Sequence, residues 1–230
     1  MGEWGSTEER AFFGRRHGKT LRDIPKRALD ETLPRYLLAP DADLSNPAAL
    51  FRAPVDRVGL EIGFGGGEHL HAATGAEPGV GLIGAEAFVN GLARLAVLLE
   101  QAPRDNLVVH ADDVVKLLDR LPEACLDVVH LYYPDPWRKR RHWKRRFLGA
   151  DNVARLGRVL KPGRRLLFAT DWANYAAHGL STIRADGRFR WSARAPEDWK
   201  TPWPGWVSTR YEAKAIREGR APSYLAFERV

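Results

Sequence analysis

Cysteine is nearly missing from this chain. Cys125 stands alone among 230 residues, which excludes an internal disulfide and a cysteine-built zinc site. No apolar run approaches the roughly 18 residues that span a bilayer. The first residues lack the apolar centre of a secretion signal, so the cytosol (a cytoplasmic protein) is the expected compartment. Histidines are few and scattered. His69 and His71 stand two apart and would not share a helix face, so no metal site is expected. There is no internal repeat and no low-complexity block.

What is present is a core and an excess of positive charge. At 44% hydrophobic residues the chain can bury an interior, and its length fits one α/β domain, or one with an appendage. Thirty-six Lys and Arg face 29 Asp and Glu, a net charge of +7, which suits an anionic partner such as nucleic acid or a membrane surface.

The basic residues gather in two places. Residues 1–27 hold Arg10, Arg15, Arg16, Lys19, Arg22, Lys26 and Arg27 with few apolar anchors, and read as a mobile basic arm. Gly18-Lys19-Thr20 is not a phosphate loop, because Phe13 stands where that motif needs its first glycine. Residues 28–54 carry four prolines and a Leu33/Tyr36/Leu37 patch, a lead-in to a domain running from 55 to 230.

The second gathering follows Pro134-Asp135-Pro136. Proline on both sides stiffens Asp135 and keeps it out of a helix interior. Seven Lys or Arg then occupy the nine positions 138–146, with Trp137 and Trp143 offering stacking surfaces. A basic run is often only a solvated face, and its neighbours decide otherwise.

Those neighbours alternate strand and helix. Residues 57–62 read as a strand, followed by Gly63-Phe64-Gly65-Gly66-Gly67 and a helix over 68–74. Strand, glycine loop and helix let a backbone approach a nucleotide-like ligand. The dinucleotide fingerprint fails, since Glu68 or Leu70 would occupy its third glycine. Glu61 before the loop suits a cationic ligand better than pyrophosphate. Glu86 ends a second strand, where an acid can hold a ribose diol. A third strand, 107–110, leads to Asp112 and Asp113; either one reaches an adenine or caps the following helix. Residues 126–132 form a fourth strand. A helix is expected over 144–160, stopped by Lys161-Pro162-Gly163. A fifth strand over 164–170 ends at Asp171, and further strands follow in 186–206 and 224–229. One parallel sheet with helices on both faces accommodates this order.

Together these residues form a recognisable set. Glu61-x-Gly-x-Gly-x-Gly with Glu86 resembles the nucleotide-binding half of class I S-adenosylmethionine-dependent methyltransferases. Tyr133-Pro-Asp-Pro-Trp-Arg-Lys, the basic tail, Thr170-Asp171-Trp172 and Thr209-Arg210-Tyr211-Glu212 resemble, in that order, the bacterial tRNA (guanine-N7)-methyltransferases. The similarity runs from about residue 55 to the C-terminus. It implies an α/β, Rossmann-like, mostly parallel seven-stranded sheet, S-adenosyl-L-methionine as methyl donor, and guanine 46 of the tRNA variable loop as target. It places Glu61, Gly63, Gly65, Glu86, Asp112 and Asp135 at the donor, with Asp135 also the catalytic acid. It places Lys139, Asp171, Thr209, Arg210, Tyr211 and Glu212 at the substrate, and Arg141, His142, Lys144, Arg145 and Arg146 on RNA. Tyr211 stands where phenylalanine is common. Monomer or homodimer is left open.

Overall fold

The computed structural model describes residues 13–230. Seven strands, β1 (Arg57–Ile62), β2 (Val80–Ala85), β3 (Leu107–His110), β4 (Leu126–Tyr132), β5 (Leu160–Thr170), β6 (Phe189–Trp191) and β7 (Ser223–Arg229), join in one sheet. Their order is β3-β2-β1-β4-β5-β7-β6. The first five are parallel, and β7 runs antiparallel between β5 and β6. Parallel strands need covering on both faces, which is why β2 is buried at every position.

Each face has its own helices. On one side α1 (Asp23–Glu31), α2 (Glu68–Ala76) and α3 (Val89–Gln101) contribute Ala28, Leu70, Leu92, Leu95 and Leu99 to a common core. On the other, α4 (Val114–Arg120), α5 (Ala150–Val159) and α6 (Ala173–Ala185) bury Leu117, Leu118, Val153, Leu156, Tyr175 and Ile183. Two short helices, α7 (Glu197–Lys200) and α8 (Arg210–Arg217), precede β7. Among the described residues no helix is long and apolar enough to cross a membrane.

Three sequence expectations change here. Residues 13–27 are no free arm. Arg16 accepts the Val89 amide through its main-chain oxygen at 2.9 Å, and Asn90 holds both the Gly18 amide and the Lys19 carbonyl at 2.7 Å. α1 then lies on α3, and Tyr36 and Leu38 bond Val109 on the outer edge of β3, each at 2.8 Å. Residues 1–12, with Arg10, lie outside the described region. The helix expected over 144–160 begins only at Ala150, after a 3-10 turn, Arg140–Arg145. Arg146 takes an extended backbone at the end of that turn, with its side chain buried. Finally, Lys161-Pro162-Gly163 lies inside β5, where the register against β4 jumps between Leu126 and Val128.

Candidate active site

The chain leaves β1 towards β2 on one side and β4 towards β5 on the other. The loops beyond these neighbouring strands diverge, and open α/β sheets bind ligands in the crevice so formed. A cavity of about 450 Å³ lies there, lined by Gly63 and Gly65 after β1, Glu86 after β2, Asp112 after β3 and Asp135 after β4. Five of the six positions expected at the donor therefore meet. Glu61 does not. Successive strand residues face opposite sides, so Ile62 lines the cavity while Glu61 turns towards α2. Glu61 is 3% exposed, with Oε2 2.7 Å from Nδ1 of His69.

The cavity floor is fixed by main-chain bonds. Glu86 accepts the Gly65 amide at 2.8 Å through Oε2 and the Phe88 amide at 2.9 Å through Oε1. Burial raises its carboxyl above the ordinary value, against these bonds. A Cβ on Gly91 would lie 2.2 Å from the Gly65 carbonyl oxygen, so α3 reaches the loop only because that residue is glycine.

The two aspartates after β3 divide their duties. Asp113 accepts the Val115 amide at 3.0 Å and caps α4. Asp112 faces the cavity and pairs with Arg16 at 3.0 Å and Lys116 at 2.7 Å. Desolvation opposes its charge, but the bonds from Lys116, the Asp113 amide and Arg16 outweigh it and hold Asp112 at about 2.

Asp135 sits in strained backbone. Tyr133 and Trp137 on either side have φ of 49° and 43°, a region that side chains seldom occupy. Desolvation raises the Asp135 carboxyl, and Arg15 across the cavity works against that rise. A shallower cavity of about 300 Å³ adjoins, lined by Asp135, Trp137, Lys139 and His142.

The basic segment divides in two. Arg141 and Lys144 are exposed. Arg145 lines the larger cavity, its guanidinium 5.0 Å from the Trp137 ring and 5.3 Å from Phe13. Arg146, expected on the RNA surface, is instead 1% exposed. It donates to the Pro136 carbonyl at 3.0 Å and to Asn174, and lies between the Trp143 and Tyr175 rings at 4.5 and 4.7 Å. Its charge braces the Asp135 loop from beneath.

The Thr209–Glu212 block also departs from expectation. Thr-x-x-Glu is a helix-start pattern, and Thr209 caps α8 by accepting the Glu212 amide at 3.1 Å. Glu212 is buried and accepts from Trp206 Nε1 at 2.9–3.0 Å and from the Tyr224 hydroxyl. Neither faces the cavity. Tyr211 does, with the Arg210 guanidinium 4.8 Å from its ring. Asp171 accepts from Arg220 at 2.6 Å, and the Arg138 and Arg220 guanidiniums each lie 5.2 Å from the Trp172 ring.

Phe13, Gly14 and Arg15 also line the cavity, where none of them was expected. Nothing local marks them, since their partners lie far along the chain. His69 was set aside with His71 on their spacing and His130 was not singled out, yet with Glu61 these two histidines, His69 and His130, place three side-chain donor atoms within 4.8 Å of one another.

A family model described as "Putative methyltransferase" matches residues 56–224. A tRNA (guanine-N(7)-)-methyltransferase of Azorhizobium caulinodans is 51% identical, over 96% of this chain and 95% of its own. One of Brucella melitensis biotype 1 is 50% identical, over 95% and 94%. The chain belongs to the tRNA (guanine-N(7)-)-methyltransferase family. Among solved structures, this methyltransferase is similar in fold to a variant of the 16S rRNA (adenine(1408)-N(1))-methyltransferase from Catenulisporales acidiphilia. The TM-score is 0.54 at 17% identity, covering 84% of this chain and 92% of that one. The 16S rRNA methyltransferase KamB gives 0.55 at 15%, covering 78% and 91%. The family and fold of the methyltransferase imply S-adenosylmethionine as donor.

Proposed function

We propose that this protein transfers a methyl group from S-adenosylmethionine to N7 of guanine 46 in the variable loop of cytoplasmic tRNA. The observation that carries this reading is the meeting of Asp135 with the Gly63–Gly65 loop, Glu86 and Asp112 around one cavity, beside exposed Arg141 and Lys144.

The residues present suit the donor. Glu86 lies where a ribose diol would be held, and Asp112 where an adenine amino group would be met. Gly63 has φ +67° and open space where a Cβ would stand, so backbone can approach a ligand there. When bound, S-adenosylmethionine supplies a methyl already activated on a sulfonium.

Guanine N7 has a free lone pair and no proton to lose, so no base is needed to make it a nucleophile. The protein must align the two reacting atoms, within about 3–3.5 Å, and keep water out. Methylated guanine carries positive charge. Asp135 stabilises that developing charge and holds the base by accepting from its N–H groups. The strained Tyr133–Trp137 turn, seated on Arg146, keeps the carboxylate aimed. Tyr211 and Arg210 offer the purine a stacking wall. N7 lies in the deep, narrow groove of A-form RNA, so a loop nucleotide is the accessible target, turned out of its stack. Lys139, His142, Arg141, Lys144 and Arg145 hold the surrounding phosphates.

The test is incubation with unmodified tRNA and methyl-labelled donor, followed by strand cleavage specific for 7-methylguanine. A single cut at the variable-loop guanine is expected. Label without such a cut would refute the N7 assignment.

A further inference from the structure

The loop that approaches the donor is made of unusually soft backbone. Gly63, Gly65 and Gly67 have φ of +67°, +61° and +79°, and glycine loses more conformational freedom on ordering than any other residue. Such a loop needs its two ends held. One end is Glu61, the penultimate residue of β1. The other is His69, the second residue of α2. The 2.7 Å contact between Glu61 Oε2 and His69 Nδ1 closes the loop like a clasp, with both side chains buried.

We propose that His69 is a positioning residue, which fixes the glycine loop for the donor by clasping Glu61 and itself touches neither donor nor substrate. The inference deepens the methyl-transfer reading above and rests on it.

The His69 ring is fixed from three sides. Its centroid lies 4.8 Å from Tyr132 and 5.3 Å from His130, both edge-on, and 5.9 Å from Trp206. His130 stands beside Glu61 in the β1–β4 register. Trp206 donates to Glu212, so the clasp continues into the α8 block. That block returns to the loop, for Tyr211 stands 3.1 Å from where a Cβ on Gly65 would lie. Glu61 thus serves the donor through His69 and the loop.

The same three residues invite a metal reading, and distance argues against it. Ligands about 2.1 Å from one tetrahedral zinc-like ion stand about 3.4 Å apart. The Glu61–His69 contact of 2.7 Å is well short of that separation. A direct hydrogen bond fits that distance and a shared tetrahedral zinc does not.

The experiment compares wild type, His69→Leu and His69→Gln. Gln restores a donor to Glu61. Calorimetry gives the Kd for S-adenosylhomocysteine, and steady-state assays on unmodified tRNA give kcat and KM. Leu should weaken nucleoside binding about tenfold or more, the loss of one hydrogen bond to a charged group. It should raise KM for the donor similarly and change kcat at saturation less than about threefold. Gln should recover most of the affinity. Hydrogen exchange at residues 63–68 should quicken in Leu and not in Gln. Should Leu fail to fold, the Glu61→Gln/His69→Leu double variant, which buries no unpaired charge, takes its place. Unchanged affinity in a folded Leu variant would overturn the inference. So would a wild-type affinity lost to a chelator and restored by zinc. Wild type that binds no nucleoside would instead overturn the methyl-transfer reading.

Discussion

Arg146 and Asn174 tie the Asp135 loop to α6. The guanidinium donates to the Asn174 side-chain oxygen at 3.0 Å and its main-chain oxygen at 3.3 Å, while a third bond reaches Pro136, next to Asp135. A cation in an arginine-rich run here acts as an internal brace.

Arg146→Met should therefore destabilise the fold by about 2–4 kcal/mol, since it removes three charge-assisted bonds and leaves their acceptors unsatisfied. Chemical denaturation measures this. A loss below about 0.5 kcal/mol would mean that the brace carries no load.

Arg141→Ala and Lys144→Ala should behave oppositely. Both residues are exposed, so stability should stay within about 0.5 kcal/mol of wild type. Each change should flatten the log–log dependence of tRNA affinity on salt by about 0.7–0.9. Filter binding at several salt concentrations checks the slope, and a wild-type slope would place these residues off the RNA.

Asp135→Ala should abolish methylation while tRNA affinity stays within about twofold, because phosphate contacts supply most of the binding. Measurable turnover at a tenth of the wild-type rate would remove Asp135 from the chemistry.

Acid should inhibit earlier than ordinary carboxylates would suggest. Desolvation raises both Glu86 and Asp135, so each takes up its proton at a pH above its usual value. If both act as anions, kcat/KM should be flat near neutrality and fall as pH drops through that raised range. Activity that persists unchanged to pH 4 would contradict an anionic role.

His130 should make stability acid-sensitive. Burial, helped by nearby His69, lowers its pKa to about 3, against about 6.5 in the unfolded chain. The folded value is depressed, so the unfolded state takes the proton first, and stability is lost as pH falls below about 6.5 towards 3. Between pH 7 and 5 this amounts to about 1–2 kcal/mol. His130→Gln should lose correspondingly less over that interval in denaturation curves, and an equal loss would place the titration elsewhere.

Sequence by itself determined the sheet, the glycine loop and the acids at strand ends. These are local: β1, β3 and β4 fall on the residues that apolar runs and flanking glycines marked, and Asp135 is stiff because its own neighbours are prolines. What folding alone decided is which way each side chain points and which distant groups it meets. Alternation along β1 turned Glu61 from the cavity into a clasp with His69. A buried pocket between Trp143 and Tyr175 took Arg146 out of a basic run that looked uniform. Glu212 became a buried acceptor, while Arg15 crossed from the N-terminal segment to the cavity wall and Arg16 to Asp112. Charge and spacing are written residue by residue, but burial and partnership come from contacts between positions as far apart as Arg16 and Asp112, and no local pattern encodes those.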